Sequence, residues 1–333
     1  MKRNVLKRLL ASALCALMVV GLSACGNNGV ATSKDPVPAS KAFGTKGIWY
    51  EGVPSDKSNS VKSILYFNGS GQVTWYQTSS DAISDYIKFA DLNKKSNEEI
   101  IKLAKERDKT LFGKIKSEVL AAYQKNVDYL NEEKNKLQSE YNSKNYNLAS
   151  DYVFYDKNDI PKWYEKRIRI NKLGLDFYNL LIEKVNAIEY KEPKPLDFTL
   201  SAETDNTGNS ISKEKIEFNG NYSYFSSTDI SSFYNFSINT PNSFKDISSV
   251  DELIKNYNEE YKKKYNQEFS WDSIAYPKRS KYTSQISLKP DGGARNIYDM
   301  VFRGYETLTT MTDGNHAGFI LDNIDAKGVE IDK

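Results

Sequence analysis

Histidine and cysteine are nearly absent from this chain, which has one histidine and two cysteines among 333 residues. Those counts exclude a metal site built on several histidines, a thiol redox pair and a disulfide framework. A membrane-spanning segment is also missing, because the most apolar stretch has 14 residues and a bilayer span needs about 20. Neither charge is in large excess, with 46 basic and 44 acidic residues, so we predict no nucleic-acid partner.

Aromatic side chains are abundant and make up 13% of the chain, with 23 tyrosines and 15 phenylalanines. This content supplies large apolar side chains for a packed core and argues against disorder along most of the chain. A length of 333 residues predicts about two domains, or one domain with a large insertion.

The sharpest motif lies at the N-terminus, where four basic residues within positions 2–8 precede the apolar residues 9–22. The stretch ends in Leu22-Ser23-Ala24-Cys25, which resembles the lipobox of bacterial lipoproteins. The resemblance implies that residues 1–24 are a signal peptide. It also implies that Cys25 becomes the first residue of the mature chain and carries a diacylglycerol on its sulfur.

Lipidation at Cys25 has consequences for the whole chain. Cys15 leaves with the signal peptide and Cys25 carries lipid, so the mature chain has no free thiol for catalysis. Removal of four basic residues turns the formal net charge from +2 to −2. We therefore predict a membrane partner, held through the lipid, and a location on the extracytoplasmic face of the cell membrane. The lysine-, asparagine- and tyrosine-rich composition fits a Gram-positive source.

The next segments change from polar to strand-like. Residues 25–46 are small and polar, which predicts a flexible tether. Within residues 47–80, two β-rich runs flank Asn68-Gly69-Ser70-Gly71, which predicts a β-hairpin. Together with Gly47-Ile48-Trp49, this hairpin resembles the opening of lipocalin-like β domains of secreted bacterial proteins. That resemblance implies a barrel with room for a small ligand.

Residues 81–192 are predicted to form a helical hairpin inserted into the β domain. A capping box at Ser96-Asn97-Glu98-Glu99 starts a helix of about 45–50 residues. Its apolar stripe includes Leu111, Ile115, Val119, Tyr123, Val127, Leu130, Leu137 and Tyr141. A second helix begins after Asn158-Asp159, with proline in its first turn, and ends before residue 192. Each stripe needs a partner, so the two helices are expected to pair.

Residues 193–333 return to the strand period and are predicted to complete the β domain. A second capping box at Ser249–Glu252 predicts one helix at about 249–265. Turns are predicted at Pro290–Gly293 and Asp313–Asn315. The fold class predicted is α+β: an antiparallel β-sheet or barrel-like domain interrupted by a long αα-hairpin.

Few residues offer catalytic or metal-binding chemistry. His316 is the single imidazole, and a Ser-His-Asp arrangement would need Asp313 or Asp322 to orient it. Its place beside a turn favours a surface or strand-edge position without a catalytic role. The oxygen-rich segments 205–209 and 322–325 lack the spacing of a calcium loop and are interpreted as turns. We predict no catalytic residue, no metal and no cofactor, while the many carboxylates leave a hydrolase open.

Aromatic residues offer the main candidate binding surface, made of Tyr222, Tyr224, Phe233 and Tyr234. Exposed rings of this kind bind proteins and glycans, although the same rings also fill β-domain cores. The function expected is a non-catalytic binding or scaffolding role at the cell surface, with a protein or glycan partner. Two alternatives remain open: a small-ligand-binding lipoprotein with a lipocalin-like cavity, and a cell-envelope hydrolase that uses carboxylates.

Overall fold

The computed structural model describes residues 30–79, 86–147, 158–218, 249–265 and 284–332. The signal peptide and Cys25 lie outside these residues. The chain divides into two compact units. The β unit contains residues 1–111, 192–222 and 281–333, and the helical unit contains residues 112–191 and 223–280. The predicted α+β class is confirmed.

The β unit is built on a large, mostly antiparallel sheet that curls into a half-barrel. In chain order, the strands of the described residues are β1 (Val37–Pro38), β2 (Gly47–Glu51), β3 (Ser63–Phe67), β4 (Gln72–Gln77), β5 (Leu196–Thr204), β6 (Ile211–Phe218), β7 (Ser284–Leu288), β8 (Pro290–Ile297), β9 (Met300–Tyr305), β10 (Leu308–Thr312), β11 (Phe319–Ile320) and β12 (Val329–Asp332). The main sheet has the order β7-β6-β5-β4-β3-β2-β10-β9-β8, and β12 pairs with β5 in parallel. The short strands β1 and β11 form a separate parallel pair.

The hairpin of β3 and β4 forms at the predicted loop. The Asn68 side chain accepts hydrogen bonds from the backbone N–H groups of Ser70 and Gln72, at 2.8 and 3.2 Å. Gly69 has φ of +80°, and a Cβ there would approach the backbone of Lys46 to 3.0 Å. Only glycine meets both conditions without strain, so the Asn-Gly pair fixes this turn.

The central strands are buried on both faces of the sheet. In β2, Trp49 packs into the cluster on one face, and Ile48 and Tyr50 pack into the cluster on the other. Two short helices cover these faces: α1 (Ala39–Phe43) lies on the Trp49 face, and a 3₁₀ turn (Phe89–Leu92) lies on the Tyr50 face. A strand that is buried on both faces has a continuous run of apolar residues in the sequence, which is why β2 and β3 could be recognised as strands.

The predicted tether over residues 25–46 is wrong from residue 30 onward. Residues 37–43 form β1 and α1, and Val37, Ala39 and Phe43 are at most 1% exposed. The segment escaped recognition because it holds few apolar residues among polar ones and spans little more than one helical turn. Folded structure therefore begins within five residues of Cys25.

The segment Pro290–Gly293 is also not the predicted turn. It opens strand β8, and the pairing with β9 shifts register between Asp291 and Arg295. The two side chains form an ion pair of 2.6 Å across this irregularity. Glycines in a strand often mark such a bulge, and their turn-like composition concealed the strand.

The helices are α2 (Asn97–Ser143), α3 (Asp159–Asn186) and α4 (Val250–Tyr265). The capping box at the start of α2 is formed: Ser96 N–H donates to Glu99 at 2.7 Å, and Glu99 N–H donates to the Ser96 hydroxyl at 3.2 Å. Tyr123, Val127 and Leu130 of the predicted stripe pack against the buried face of α3.

Two predicted boundaries of the helical insertion need correction. The insertion was expected at residues 81–192, but α2 up to Leu111 belongs to the β unit, where Ile100 and Ala104 are fully buried in one sheet cluster. Helix α4 was expected in the β domain, yet it belongs to the helical unit, where Val250 packs against the hairpin core. Sequence periodicity locates a helix but does not say which unit covers its apolar face.

Candidate functional site

His316 lies inside the β unit and is 2% exposed. Its Nδ1 accepts a hydrogen bond from Gly318 N–H at 2.8 Å, so its Nε2 carries the proton and donates to the Val30 carbonyl at 2.7 Å. The ring also stacks on Phe319, with 4.7 Å between centroids. Burial lowers the pKa of His316, which keeps the imidazole neutral.

The predicted surface or strand-edge position of His316 is therefore wrong. Backbone groups occupy both ring nitrogens, and neither Asp313 nor Asp322 orients the ring. The sequence placed His316 beside a turn correctly, but the turn folds inward because residues 30–33 cover it. The imidazole links the N-terminal segment at Val30 to the C-terminal part of the chain by a hydrogen bond.

Asp322 fastens the same segment a few residues further along. Its carboxylate accepts hydrogen bonds from the backbone N–H and the hydroxyl of Ser40, at 2.7 and 2.6 Å. Helix α1 follows Pro38, which offers no capping side chain, so a carboxylate 282 residues away accepts the N–H of its second residue, Ser40. The negative charge also suits the positive end of the helix dipole.

Glu214 meets this cluster from strand β6 and is 2% exposed. It shares the inward face of the strand with Ile216 and Phe218. One oxygen accepts a hydrogen bond from Asp322 N–H at 3.0 Å, and Oε1 has no hydrogen-bond partner among the described residues. Burial, reinforced by the nearby Asp322 side chain, raises the pKa of Glu214 to about 8.

Tyr305 completes the cluster, and its hydroxyl donates to the Ile320 carbonyl at 3.3 Å. Burial raises the pKa of Tyr305 well above its ordinary value, and the two carboxylates raise it further. The cluster thus holds a neutral tyrosine and a Glu214 that is largely protonated at neutral pH. Glu214 and Asp322 are only 2% and 5% exposed, so the pair lies in the interior of the β unit.

Around this cluster the interior is packed with aromatic rings. Phe43 lies 4.7 Å from Trp49, 5.0 Å from Phe67 and 5.8 Å from Tyr305, measured between ring centroids. Phe319 lies 5.0 Å from Trp49 on another side. The interior at this position is filled by α1 and its phenylalanine.

The oxygen-rich segment 205–209 is closed on itself. Asp205 Oδ1 accepts hydrogen bonds from the backbone N–H groups of Thr207 and Asn209, at 3.0 and 3.3 Å, and from the Thr207 hydroxyl at 2.7 Å. These bonds lower the pKa of Asp205 and define an ordinary turn. In the part of the chain that the structure describes, no group of three His, Cys, Asp or Glu side chains is placed to hold a metal ion.

The predicted binding surface of Tyr222, Tyr224, Phe233 and Tyr234 lies outside the described residues. Within them, the exposed tyrosines include Tyr129 on α2, at 60%, and Tyr298 between β8 and β9, at 58%. Sequence analysis missed Glu214 and Tyr298. The strand period could have found Glu214, because it alternates with Ile216 and Phe218.

Comparisons with known proteins give no match: no family model, no curated protein and no solved structure is similar to this chain. None of the helices in the described segments is both long enough and apolar enough to cross a membrane.

Proposed function

We propose that this protein is a lipid-anchored lipoprotein on the extracytoplasmic face of the cell membrane, with a non-catalytic binding or scaffolding role. The observation that carries the proposal is Leu22-Ser23-Ala24-Cys25 behind a basic segment and 14 apolar residues. The thiol at Cys25 is the one that lipid attachment requires, and two acyl chains hold a protein stably on a bilayer.

Two features of the β unit favour a non-catalytic role, and a third disfavours a ligand-binding cavity. Both ring nitrogens of the single histidine are hydrogen-bonded to backbone groups, so neither is left for proton transfer to a substrate. The Asp322 carboxylate is buried and holds the N-terminal segment at Ser40, and the buried Glu214 carboxyl holds the backbone N–H of Asp322. The aromatic packing around Phe43 disfavours the small-ligand alternative, which needs a cavity in that interior.

The helical hairpin supplies a surface for a partner. Tyr129 is 60% exposed, whereas the adjacent Leu130 is fully buried against α3, so the tyrosine lies away from the hairpin seam. Helix α2 carries nine basic and nine acidic residues, which disfavours a highly charged polymer as the partner. An exposed tyrosine on a mixed-charge helix suits a protein or glycan partner.

The location is tested with the two cysteines of the precursor. Cys25→Ala should leave the protein unprocessed or release it from the membrane, while Cys15→Ala should be processed and anchored like the wild type. The measurement is cell fractionation with immunoblotting for size and membrane association. A Cys25→Ala protein that is processed and stays membrane-bound would refute the proposal.

A hydrolase is the second candidate, because Glu214 and Asp322 bring two carboxyl groups together, with Asp322 N–H donating to Glu214 at 3.0 Å, and burial raises the pKa of Glu214 to about 8. The test is complementation of a deletion strain with Glu214→Gln, alongside thermal melts of the purified proteins. A variant as stable as the wild type that fails to complement would favour the hydrolase. Full complementation supports the binding role.

A further inference from the structure

The N-terminal segment is fixed to the β unit directly after the anchor. Asp313 N–H donates to the Ala31 carbonyl at 2.8 Å, and Ala317 N–H donates to the Ser33 carbonyl at 3.1 Å. His316 holds the Val30 carbonyl at 2.7 Å, and both Val30 and Ala31 are buried. Val30 is therefore a fixed point on the unit, beside the loop that follows β10.

The chain between this fixed point and the lipid is short. Cys25 precedes Val30 by five residues, and an extended chain covers at most about 3.6 Å per residue. The Cα atom of Cys25 therefore lies within about 18 Å of the Cα atom of Val30, whatever path the chain takes. With a connecting segment of this length, the loop at residues 313–317 stays close to the bilayer surface.

A second feature lies at the same end of the sheet. Strand pairing places Thr312 beside Val301, and Met300 beside Ile297, so the turn between β8 and β9 adjoins the start of the 313–317 loop. Tyr298 occupies this turn with a φ of +55° and is 58% exposed. A tyrosine exposed at a backbone conformation that bulky residues avoid is a functional signal, and tyrosine favours the membrane–water interface.

We propose that this end of the β unit, formed by residues 30–33, 298–299 and 313–317, lies against the lipid headgroups with Tyr298 in contact with them. The proposal rests on the lipid anchor at Cys25. It assigns a fixed orientation to the β unit, with the loop at residues 52–62 on the far side. Gly52 N–H bonds to Thr307 at the opposite end of β10, and the strands between the two ends span about 17 Å.

The orientation is measured with single-cysteine reporters in the full-length lipidated protein, because the mature chain has no other free thiol. Asn315→Cys places a fluorophore on the membrane-facing end, and Lys57→Cys places one in the 52–62 loop. Both side chains are exposed. The vesicles are zwitterionic phosphatidylcholine with a spin label on the headgroup, because the exposed Asp299 and Asp313 would be repelled by anionic lipid.

We expect the label at position 315 to lose most of its fluorescence and the label at position 57 to keep most of it. Protein that floats with the vesicles but shows equal quenching at both positions would overturn the orientation and leave the anchor intact. Protein that fails to float with the vesicles would refute the anchor and the orientation together.

The contribution of Tyr298 is tested in the Asn315→Cys background. Tyr298→Asn preserves the turn, because asparagine tolerates positive φ, and it should reduce the quenching at position 315. Tyr129→Asn is the matched control, since Tyr129 is equally exposed and lies on α2. It should leave the quenching unchanged. Unchanged quenching in Tyr298→Asn would overturn the proposed contact between this side chain and the headgroups.

Discussion

The β unit and the helical hairpin build their cores in different ways. The β unit packs large rings against each other, with Phe43 at the centre of one cluster. The hairpin has two apolar clusters, one containing Leu137 and Tyr164 and the other containing Leu130 and Leu175. Along both helices, polar residues separate the two apolar clusters, including Glu133 on α2 and Asn171 on α3. Arg167 and Glu133 form an ion pair of 2.9 Å, and Asn171 is 1% exposed.

The two units also differ in how they satisfy buried polar groups. In the β unit, distant parts of the chain supply the partners: His316 bonds to Val30 and Asp322 to Ser40. In the hairpin, Asn171 has neither a donor nor an acceptor partner among the described residues. These bonds of the β unit form only when distant parts of the chain meet, whereas the hairpin packs two helices that are neighbours in the sequence. Both units keep a buried polar atom without a hydrogen-bond partner among the described residues, Glu214 Oε1 in the β unit and the Asn171 amide in the hairpin.

The largest effect is expected from Phe43→Ala. The side chain is fully buried among Trp49, Phe67 and Tyr305, so its loss should cost about 4 kcal/mol through lost burial and the cavity left behind. Denaturant unfolding, followed by near-ultraviolet circular dichroism, measures the change. Lys41→Ala in the same helix is exposed and should change stability little. Equal losses in the two variants would mean that α1 does not hold the β unit together.

Val127→Asp should do comparable damage to the other unit. A carboxylate at this buried seam position would lie among apolar side chains, and we expect a loss of about 3 kcal/mol with reduced helical circular dichroism. Lys125→Asp lies on the exposed face and serves as the control. If both variants lose helix equally, the stripe does not face α3.

Glu214→Gln should change how stability depends on pH. The fold raises the pKa of Glu214 from 4.5 to about 8, so between these pH values the folded chain keeps a proton that the unfolded chain has released. The free energy of unfolding therefore falls as the pH rises through this range, by at most about 1.4 kcal/mol per pH unit. Glutamine at this position should abolish that fall.

The measurement is a set of urea titrations at several pH values. Glu217→Gln is the control, since Glu217 lies three residues along the same strand, is paired with Lys215 at 3.0 Å and is not fully buried. A wild type and a Glu214→Gln variant with the same pH profile would show that the fold does not protonate this carboxylate.

Asn171→Leu should give the smallest change, in the opposite direction. Leucine has a similar size and removes an amide without partners, so the hairpin should gain about 1 kcal/mol. Thermal melting of the helical signal measures the gain. Asn135→Leu on the exposed face of α2 is the control for helix propensity. A loss of stability in Asn171→Leu would mean that the amide has a bonding partner in solution.

The long helices could be predicted because their signals are local. The capping box at Ser96 and the spacing of Tyr123, Val127 and Leu130 depend on neighbouring residues alone, and the structure follows them closely. The β-hairpin at Asn68 was predictable for the same reason, since its turn needs a glycine at a left-handed backbone angle.

The candidate site could not be predicted in the same way. His316 and Asp322 are buried because residues 30–40 cover them, and no local pattern connects positions 282–286 residues apart. Glu214 occupies an inward strand position where an apolar side chain is the rule, and only its partner Asp322 explains it. Strand β8 was missed because its glycines form a bulge inside a strand, and bulges and turns share this composition.

The bonds between residues 30–40 and 313–322 also set the order of events during synthesis. A chain is made from its N-terminus, so Val30 and α1 emerge long before the residues that hold them. Ser40 is bonded by Asp322, and Val30 by His316, each more than 280 residues later in the chain. A chain cut short before residue 313 would lose every one of these bonds. The N-terminal segment can therefore reach its place on the β unit only after residues 313–322 have been synthesised.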